Sequence, residues 1–312
     1  MPARLRERGD GAVARLLRKS PVNAYIRLNK SVWPRLPHRL ADLRMTRAYG
    51  SIVHRVIRAR APRRQYRGTF FLRNRPALML LRRLAAQRDP RAPVRIAVLG
   101  CSNGAEVYSI VWAVRSGAPQ LAVTVRALDI SADVLAEARA GVYARNASLL
   151  ARMTPAERAE VFDLDGADEV RVKPWLKEGI TWHVDDAAAP DLPARLGLQD
   201  VVVANNFLCH MPPAQAEPCL RSLARLVVPG GHLMAAGVDL DVRTRVARQL
   251  GWTPVLESIE EIHGGDPSVR RDWPCEYWGL EPIDKRRRDW QLRYACVFQL
   301  GHIGSGQGTG AS

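Results

Sequence analysis

Apolar positions follow two regimes along the chain. In residues 1–65 they recur at helical spacing, at Val13, Leu16 and Leu17 and again at Ile52, Val53, Val56 and Ile57. Pro34 and Pro37 divide this region into at least two helices. The segment Val13–Leu28 is basic and amphipathic, a pattern compatible with lying on a membrane but more often with packing on its own domain, the reading adopted here. Residues 66–87 read as an aromatic turn entering a short helix. From about Val94 the pattern changes. A near-continuous apolar run at Ile96–Leu99, flanked by Val94 and Gly100, predicts a buried parallel strand. A glycine-bracketed loop, Gly100–Gly104, follows it, and then a helix with Val107, Ile110, Val111 and Val114 on one side.

The alternation continues with a strand at Leu121–Asp129 and a helix at Ala132–Ala140. Residues 141–180 are polar and mixed, with a capping-box helix start at Thr154-Pro155-Ala156-Glu157 and strand-like alternation over Glu169–Lys173. A strand at Asp200–Ala204 ends in Asn205-Asn206, a helix spans about Ala214–Leu226, and a Pro229-Gly230-Gly231 turn leads into a strand at His232–Val238. Trp252–Ser258 and Leu292–Leu300 complete the set as strands. The order predicts an α/β sheet with a C-terminal strand pair and no internal repeat. The Gly/Ser-rich residues 302–312 read as a disordered tail.

Charge divides the chain as well. Residues 1–95 hold 25 Lys and Arg against four acids, a net of +21, and the remainder carries −5. An arginine-rich coding bias explains the arginines but not the shortage of acids. The basic N-terminal module is therefore expected to attract an anionic partner: an acidic protein face, a nucleic acid or a membrane surface. The 312 residues suffice for one large domain or two small ones. Five cysteines, odd in number and without CxxC spacing, argue against a zinc site or a disulfide framework. Reduced thiols and a cytoplasmic location are the expectation. No apolar run approaches the roughly 18 residues of a membrane helix, and the N-terminus shows no apolar signal-peptide core.

A strand, a glycine loop and a helix open a ligand site at the carboxyl end of a strand. The loop lacks GxGxxG, so a dinucleotide pyrophosphate is not its natural guest. Asp129 lies 25 residues after Gly104 at the end of the second strand, where an acid accepts hydrogen bonds from ribose hydroxyls or caps the helix beginning near Ser131. A ribose acid and a glycine loop without a pyrophosphate fingerprint suggest an adenosyl ligand lacking a diphosphate. S-adenosylmethionine fits that description.

Four stretches over roughly residues 66–240 resemble the chemotaxis-receptor methyltransferase (CheR-type) family. Thr69-Phe-Phe-Leu-Arg73-Asn74 resembles T-x-F-F-R-(N), and Cys101-Ser-Asn-Gly-Ala-Glu-Val-Tyr-Ser-Ile110 resembles C-S-T-G-E-E-P-Y-S-I. Ala127-Leu-Asp-Ile130 with Val134-Leu-Ala-Glu-Ala-Arg-Ala-Gly-Val-Tyr143 resembles A-x-D-I…V-L-x-x-A-R-x-G-x-Y. Ala204-Asn-Asn-Phe207 stands where the family has C-R-N-V. The resemblance implies a Rossmann-like class I methyltransferase fold and S-adenosylmethionine as cofactor. It implies a cofactor site formed by Thr69, Arg73, Gly100, Ser102, Gly104, Glu106, Asp129, Ile130, Asp186, Ala187, Asn205 and Asn206, with Arg73 and Asn206 nearest the transfer chemistry. It also implies a domain plan: a basic helical domain over 1–92 and a methyltransferase domain over 93–301, the latter carrying a small subdomain at 144–182. Family helices of the first kind dock acidic receptor helices.

The chain departs from the pattern in three places. Ala105 and Val107 replace Glu and Pro of G-E-E-P-Y, Asn205 replaces the Arg of R-N, and some 60 residues beyond Val238 fall outside the resemblance. These favour an acceptor other than a chemotaxis receptor, either an acidic protein or a small carboxylate. Methyl transfer from a sulfonium to a carboxylate needs alignment rather than a general base, so the lack of a triad is consistent. His210 and Cys209 follow the fourth strand and either touch the acceptor or pack; Tyr108 reads as helix packing. An aromatic insertion at 263–290, with Trp273, Glu276 and Trp278, is expected either to line an acceptor pocket or to cover the end of the sheet. The competing functional classes are a nucleic-acid-binding methyltransferase and a non-catalytic cofactor-binding scaffold.

Overall fold

The computed structural model describes residues 20–41, 43–60, 68–265, 272–276 and 280–301. The tail at 302–312, Trp278 and the start of the Val13–Leu28 segment lie outside the described residues. Of the described residues, those within Met1–Ala61 and Ser268–Glu281 form one compact unit, and those within Pro62–Pro267 and Pro282–Ser312 form another. Among them no helix is long and apolar enough to cross a membrane.

The smaller unit contains the helices Pro21–Val32 and Arg44–Arg58, joined through a 3-10 turn at Trp33–Arg35 and a short helix at His38–Ala41. The prolines divide the helices as expected. Val53 and Ile57 of the second helix face inward against Tyr25 and Ile26. A part of the aromatic insertion belongs here: the Trp273 ring packs edge-on against Trp33 at 5.5 Å, and Cys275 Sγ donates to the Asn29 carbonyl at 3.5 Å. Glu276 pairs with Lys30.

The larger unit is built on a sheet of seven strands. In chain order its strands are β1 (Val94–Leu99), β2 (Val123–Asp129), β6 (Ile180–Val184), β7 (Gln199–Val203), β8 (Val227–Met234), β9 (Thr253–Pro254) and β10 (Val297–Gln299). The numbers β3 (Val142–Ala144), β4 (Phe162–Asp165) and β5 (Glu169–Val172) belong to a separate three-stranded antiparallel sheet. The order across the large sheet is β6-β2-β1-β7-β8-β10-β9. The first five run parallel, and β10 is antiparallel to both neighbours. This is the Rossmann-like class I methyltransferase sheet that the resemblance implied.

Why β1 reads as a continuous apolar run is now plain. Ile96 and Val98 enter one core and Ala97 and Leu99 the other, so both faces of the strand are covered by helices. The helix Arg75–Ala86 contributes Leu78, Leu81 and Leu84 to the first core alongside Val107, Ile110 and Val111 of the helix Ala105–Gly117. It therefore belongs to the larger unit, not to the basic N-terminal helices with which the sequence grouped it.

Three elements differ from expectation. Pro229-Gly230-Gly231 does not precede β8 but lies inside it: Gly230 N–H donates to the Leu300 carbonyl at 2.7 Å, and the register with β7 shifts between Gln199 and Val201. The Leu292–Leu300 stretch is a short helix, Trp290–Tyr294, followed by β10, because the Asp289 carbonyl takes the Arg293 N–H within one turn. Only Thr253–Pro254 of the stretch Trp252–Ser258 pairs as a strand.

The capping box at Thr154 is formed: Thr154 Oγ1 accepts from Glu157 N–H, and Glu157 returns a bond to Thr154 N–H at 2.8 Å. Arg75 also binds the Glu157 carboxylate, and its hydrogen bonds pull the carboxyl from the ordinary 4.5 down to about 2. A depressed carboxylate contributes stability that is complete above its unfolded value and is lost as pH falls through its folded value. The stability difference between the wild type and E157Q, followed by urea unfolding, should be full at pH 6 and vanish as pH approaches 2. In the smaller unit, W273A empties a ring-sized space and should cost about 3 kcal/mol in chemical denaturation followed by near-ultraviolet dichroism.

Candidate functional site

The chain runs from β1 outward to β2 and β6, then returns to the other side of β1 for β7 and β8. The loops after β1 and β7 therefore diverge at a topological switch point, where open α/β sheets form their crevice. A cleft of about 1010 Å³, including its open side, lies there.

The loop after β1 forms its floor. Gly100 adopts φ +66°, and a Cβ on it would lie 2.8 Å from Phe207 Cβ on the facing loop, so this position excludes a side chain on both counts. Ser102 also has positive φ (51°), and its N–H points to Asp129 Oδ2 at 2.8 Å. The other oxygen of Asp129 accepts from Ser131 N–H at 3.0 Å. Asp129 thus holds the turn that follows it, as the capping alternative expected, and also lines the cleft.

The opposite wall is built around Asn205. Its amide Nδ2 donates to Glu106 Oε1 at 2.8 Å, and its Oδ1 accepts the Ala236 N–H at 2.9 Å. Asn206 follows in a left-handed conformation (φ 59°), its N–H bonded to the Ala236 carbonyl at 2.9 Å. Burial raises the Glu106 carboxyl above its usual range, while the Asn205 hydrogen bond and the Arg73 charge oppose the rise.

Arg73 enters from a third element. Its neighbours Leu72 (φ 56°) and Asn74 (φ 53°) are both left-handed, a strained arrangement for side-chain-bearing residues. It is held by specific bonds. Leu72 N–H donates to Ser109 Oγ at 2.9 Å, and Asn74 Nδ2 donates to the Ile262 carbonyl at 2.8 Å. The Arg73 guanidinium lies 5.3 Å from the Phe70 ring centre and lines the cleft.

The structure brings together Thr69, Arg73, Gly100, Ser102, Glu106, Asp129, Ile130, Asp186, Ala187, Asn205, Asn206 and His210 around this one cleft. Gly104 is not on its wall. It begins the helix Ala105–Gly117 and packs behind the loop, against Ala138 and Trp182. Trp273 and Glu276 belong to the smaller unit, where the first packs against Trp33 and the second pairs with Lys30. The lining residues that sequence reasoning missed include Asp185, Phe207 and Met211. Asp185 had a signal, since it adjoins Asp186 at the end of β6; Phe207 and Met211 had none beyond their place after β7.

Two thiols adjoin the site, and burial favours the protonated form of each. Burial, reinforced by Asp129 and Glu106, pushes Cys101 well above its usual value. Burial raises Cys209 to about 12, with the Arg73 charge opposing.

Four carboxylates, those of Glu106, Asp129, Asp185 and Asp186, line the cleft together with Arg73 and His210. Leu128, Ile130, Val134 and Ala187 add apolar wall. An acid-rich cleft with apolar walls fits a ligand with hydroxyls, an aromatic base and positive charge, which is the chemistry of S-adenosylmethionine.

Comparison with known proteins agrees. The family description "CheR methyltransferase, SAM binding domain" matches residues 68–242. The chain belongs to the CheR methyltransferase family. The matched CheR domain binds S-adenosylmethionine, and it contains every residue lining the cleft.

A "Chemotaxis protein methyltransferase" of Vibrio parahaemolyticus is 30% identical over 149 residues, 46% of this chain and 53% of the relative. A "Probable biofilm formation methyltransferase WspC" of Pseudomonas putida is 30% identical over 216 residues, 67% of this chain and 49% of the relative. The chain spans about half the length of the curated relatives it matches. Among solved structures, the magnesium protoporphyrin IX methyltransferase of Synechocystis with bound SAM is 18% identical, with a TM-score of 0.34, covering 58% of this chain and 71% of that one.

Asp129 is expected to dominate cofactor affinity. D129A should weaken S-adenosylhomocysteine binding about 10- to 100-fold in calorimetric titration, with D129N intermediate because it keeps the shape and loses the charge.

Proposed function

We propose that the protein is an S-adenosylmethionine-dependent methyltransferase that O-methylates a carboxylate of an acidic protein or a small acid. The observation that carries this reading is the placement of one arginine, Arg73, in a cleft that also holds four carboxylates. The acids suit the cationic cofactor, and the arginine suits an anionic acceptor.

S-adenosylmethionine supplies a methyl group already activated on a sulfonium. The residues around it have the tasks of holding and aligning. Asp129 accepts hydrogen bonds from the ribose hydroxyls, while Asp186 and Ala187 lie on the side of the base. Glu106, aimed by Asn205, faces the amino-acid end. Arg73 takes the acceptor carboxylate and turns one oxygen toward the methyl group, and Asn206 and His210 line the acceptor side. A carboxylate is ionised at neutral pH, so no proton has to be removed and alignment is the main contribution.

The smaller unit supplies a docking surface in this reading. Its helices carry Arg27, Lys30, Arg44, Arg47, Arg55 and Arg58, and Leu28, Met45 and Ile52 are exposed among them. Such a face suits an anionic partner, for which an acidic protein helix is our choice. Five buried free thiols suit a reducing, cytoplasmic setting.

The test is a panel of acidic peptides and small acids with methyl-labelled cofactor. Transfer should yield a base-labile methyl ester. R73A should slow that transfer about 100-fold, far more than it weakens S-adenosylhomocysteine binding. Base-stable label, or transfer untouched by R73A, contradicts the reading.

A further inference from the structure

Arg243 heads the fully buried large side chains of the described residues, and no carboxylate among them pairs with it. One terminal nitrogen donates to the Ala235 carbonyl at 2.7 Å and approaches Cys296 Sγ at 3.6 Å. The other donates to the Arg293 carbonyl at 2.9 Å, and Nε has no partner among the described residues. A guanidinium cannot shed its proton in a protein interior. The guanidinium is thus held by two carbonyl dipoles and by the face of the Phe298 ring, its central carbon 6.0 Å from the ring centre. A well-packed apolar side chain of the same volume would stabilise the interior at least as well. Packing alone does not account for an arginine here.

What the guanidinium holds is the back of the cleft. Ala235 directly follows β8, and its N–H is also fixed, on the Cys296 carbonyl at 2.7 Å. The next residue, Ala236, gives its N–H to Asn205 Oδ1 and its carbonyl to Asn206 N–H. Asn205 then holds Glu106. The path Arg243, Ala235, Ala236, Asn205, Glu106 is continuous, and each link is a hydrogen bond or a shared peptide. Arg243 itself sits on the helix Leu240–Gln249, just past the family-matched stretch.

We propose that Arg243 is a positioning residue of the cofactor site: by fixing the Ala235 carbonyl from behind, it presents Ala236 to Asn205 and so aims Asn205 at Glu106. The proposal rests on the reading of the cleft as the S-adenosylmethionine site. It assigns a role to the C-terminal segment, which the resemblance did not cover.

The consequence is measurable through Glu106. The groups facing that carboxyl are Asn205, Arg73 and Cys101, and Asp129, Asp185, Asp186 and His210 line the same cleft. The Asn205 hydrogen bond lowers the carboxyl's affinity for protons, so releasing Asn205 lets it titrate at higher pH. If ionised Glu106 binds the cationic end of the ligand, affinity falls as pH drops through its titration, and the midpoint of that fall rises when Asn205 is released.

S-adenosylhomocysteine binding to the full chain, titrated from pH 5 to 8, reads this directly. R243M and N205A should each weaken binding at pH 7 about tenfold and move the midpoint upward. The double variant should go no further than N205A alone. Wild-type affinity and midpoint in folded R243M, or shifts that add in the double variant, overturn the proposal. Should R243M fail to fold, R243K decides: one ammonium cannot serve both carbonyls in the same way, so an upward shift is expected and an unmoved midpoint refutes. Failure of the wild type itself to bind S-adenosylhomocysteine sinks the cofactor reading instead, which keeps the two outcomes apart.

Discussion

One carboxylate ties together the ends of two adjacent parallel strands. Asp129 stands at the end of β2 and takes the N–H of Ser102 from the loop after β1 as well as that of Ser131 from its own loop. Bonds to an ionised acceptor are about twice as strong as neutral ones, and these two fix a loop whose Ser102 backbone is left-handed. The pairing of Leu99 with Leu128 puts both loops at the same edge of the sheet, which lets one side chain reach both. On the other side of β1, Asn205 performs the equivalent task between the loop after β7, the segment after β8 and Glu106. The cleft is therefore walled by backbone held in place from two directions.

This arrangement separates two charge environments within one site. The acids converge from the ends of β2 and β6 and from the helix after β1. The single arginine arrives from Thr69–Asn74, outside the sheet, on a turn whose two left-handed residues are fixed by Ser109 and Ile262. In the proposed reaction, the acids face a cation and the arginine an anion. Burial of Glu106 strengthens this division, because a carboxyl desolvated on one side gains more from a cationic partner than an exposed one does.

Much of this was legible because the residues concerned obey local rules. The strand at Val94–Leu99, the helix at Ala132–Ala140 and the capping box at Thr154 follow from apolar runs, periodicity and cap chemistry alone. Of the cleft residues, the Gly100 loop and Asp129 were legible at strand ends, where topology converges them; Thr69, Arg73, Glu106, Asp186, Ala187 and Asn206 were legible only through the motifs that carry the family resemblance. The failures have physical causes. Gly230 reads as a turn, yet it is paired to Leu300, a partner 70 residues away that the local pattern cannot reveal. Trp273 among charges and prolines reads as a loop aromatic, whereas its ring completes a small core with Trp33 from the other end of the chain. Arg243 carries no local signal whatever. In the sequence it is one of three arginines from Arg243 to Arg248, and only the β8–β10 pairing and the Trp290–Tyr294 helix enclose it.

The central claim is that the switch-point cleft binds S-adenosylmethionine through Asp129, Glu106 and their supporting amides. Its most direct test is a structure of the full chain grown with S-adenosylhomocysteine. The account predicts the nucleoside in the cleft with its ribose on Asp129 and its amino-acid end toward Glu106. An empty cleft at saturating ligand, or ligand bound elsewhere, would contradict it.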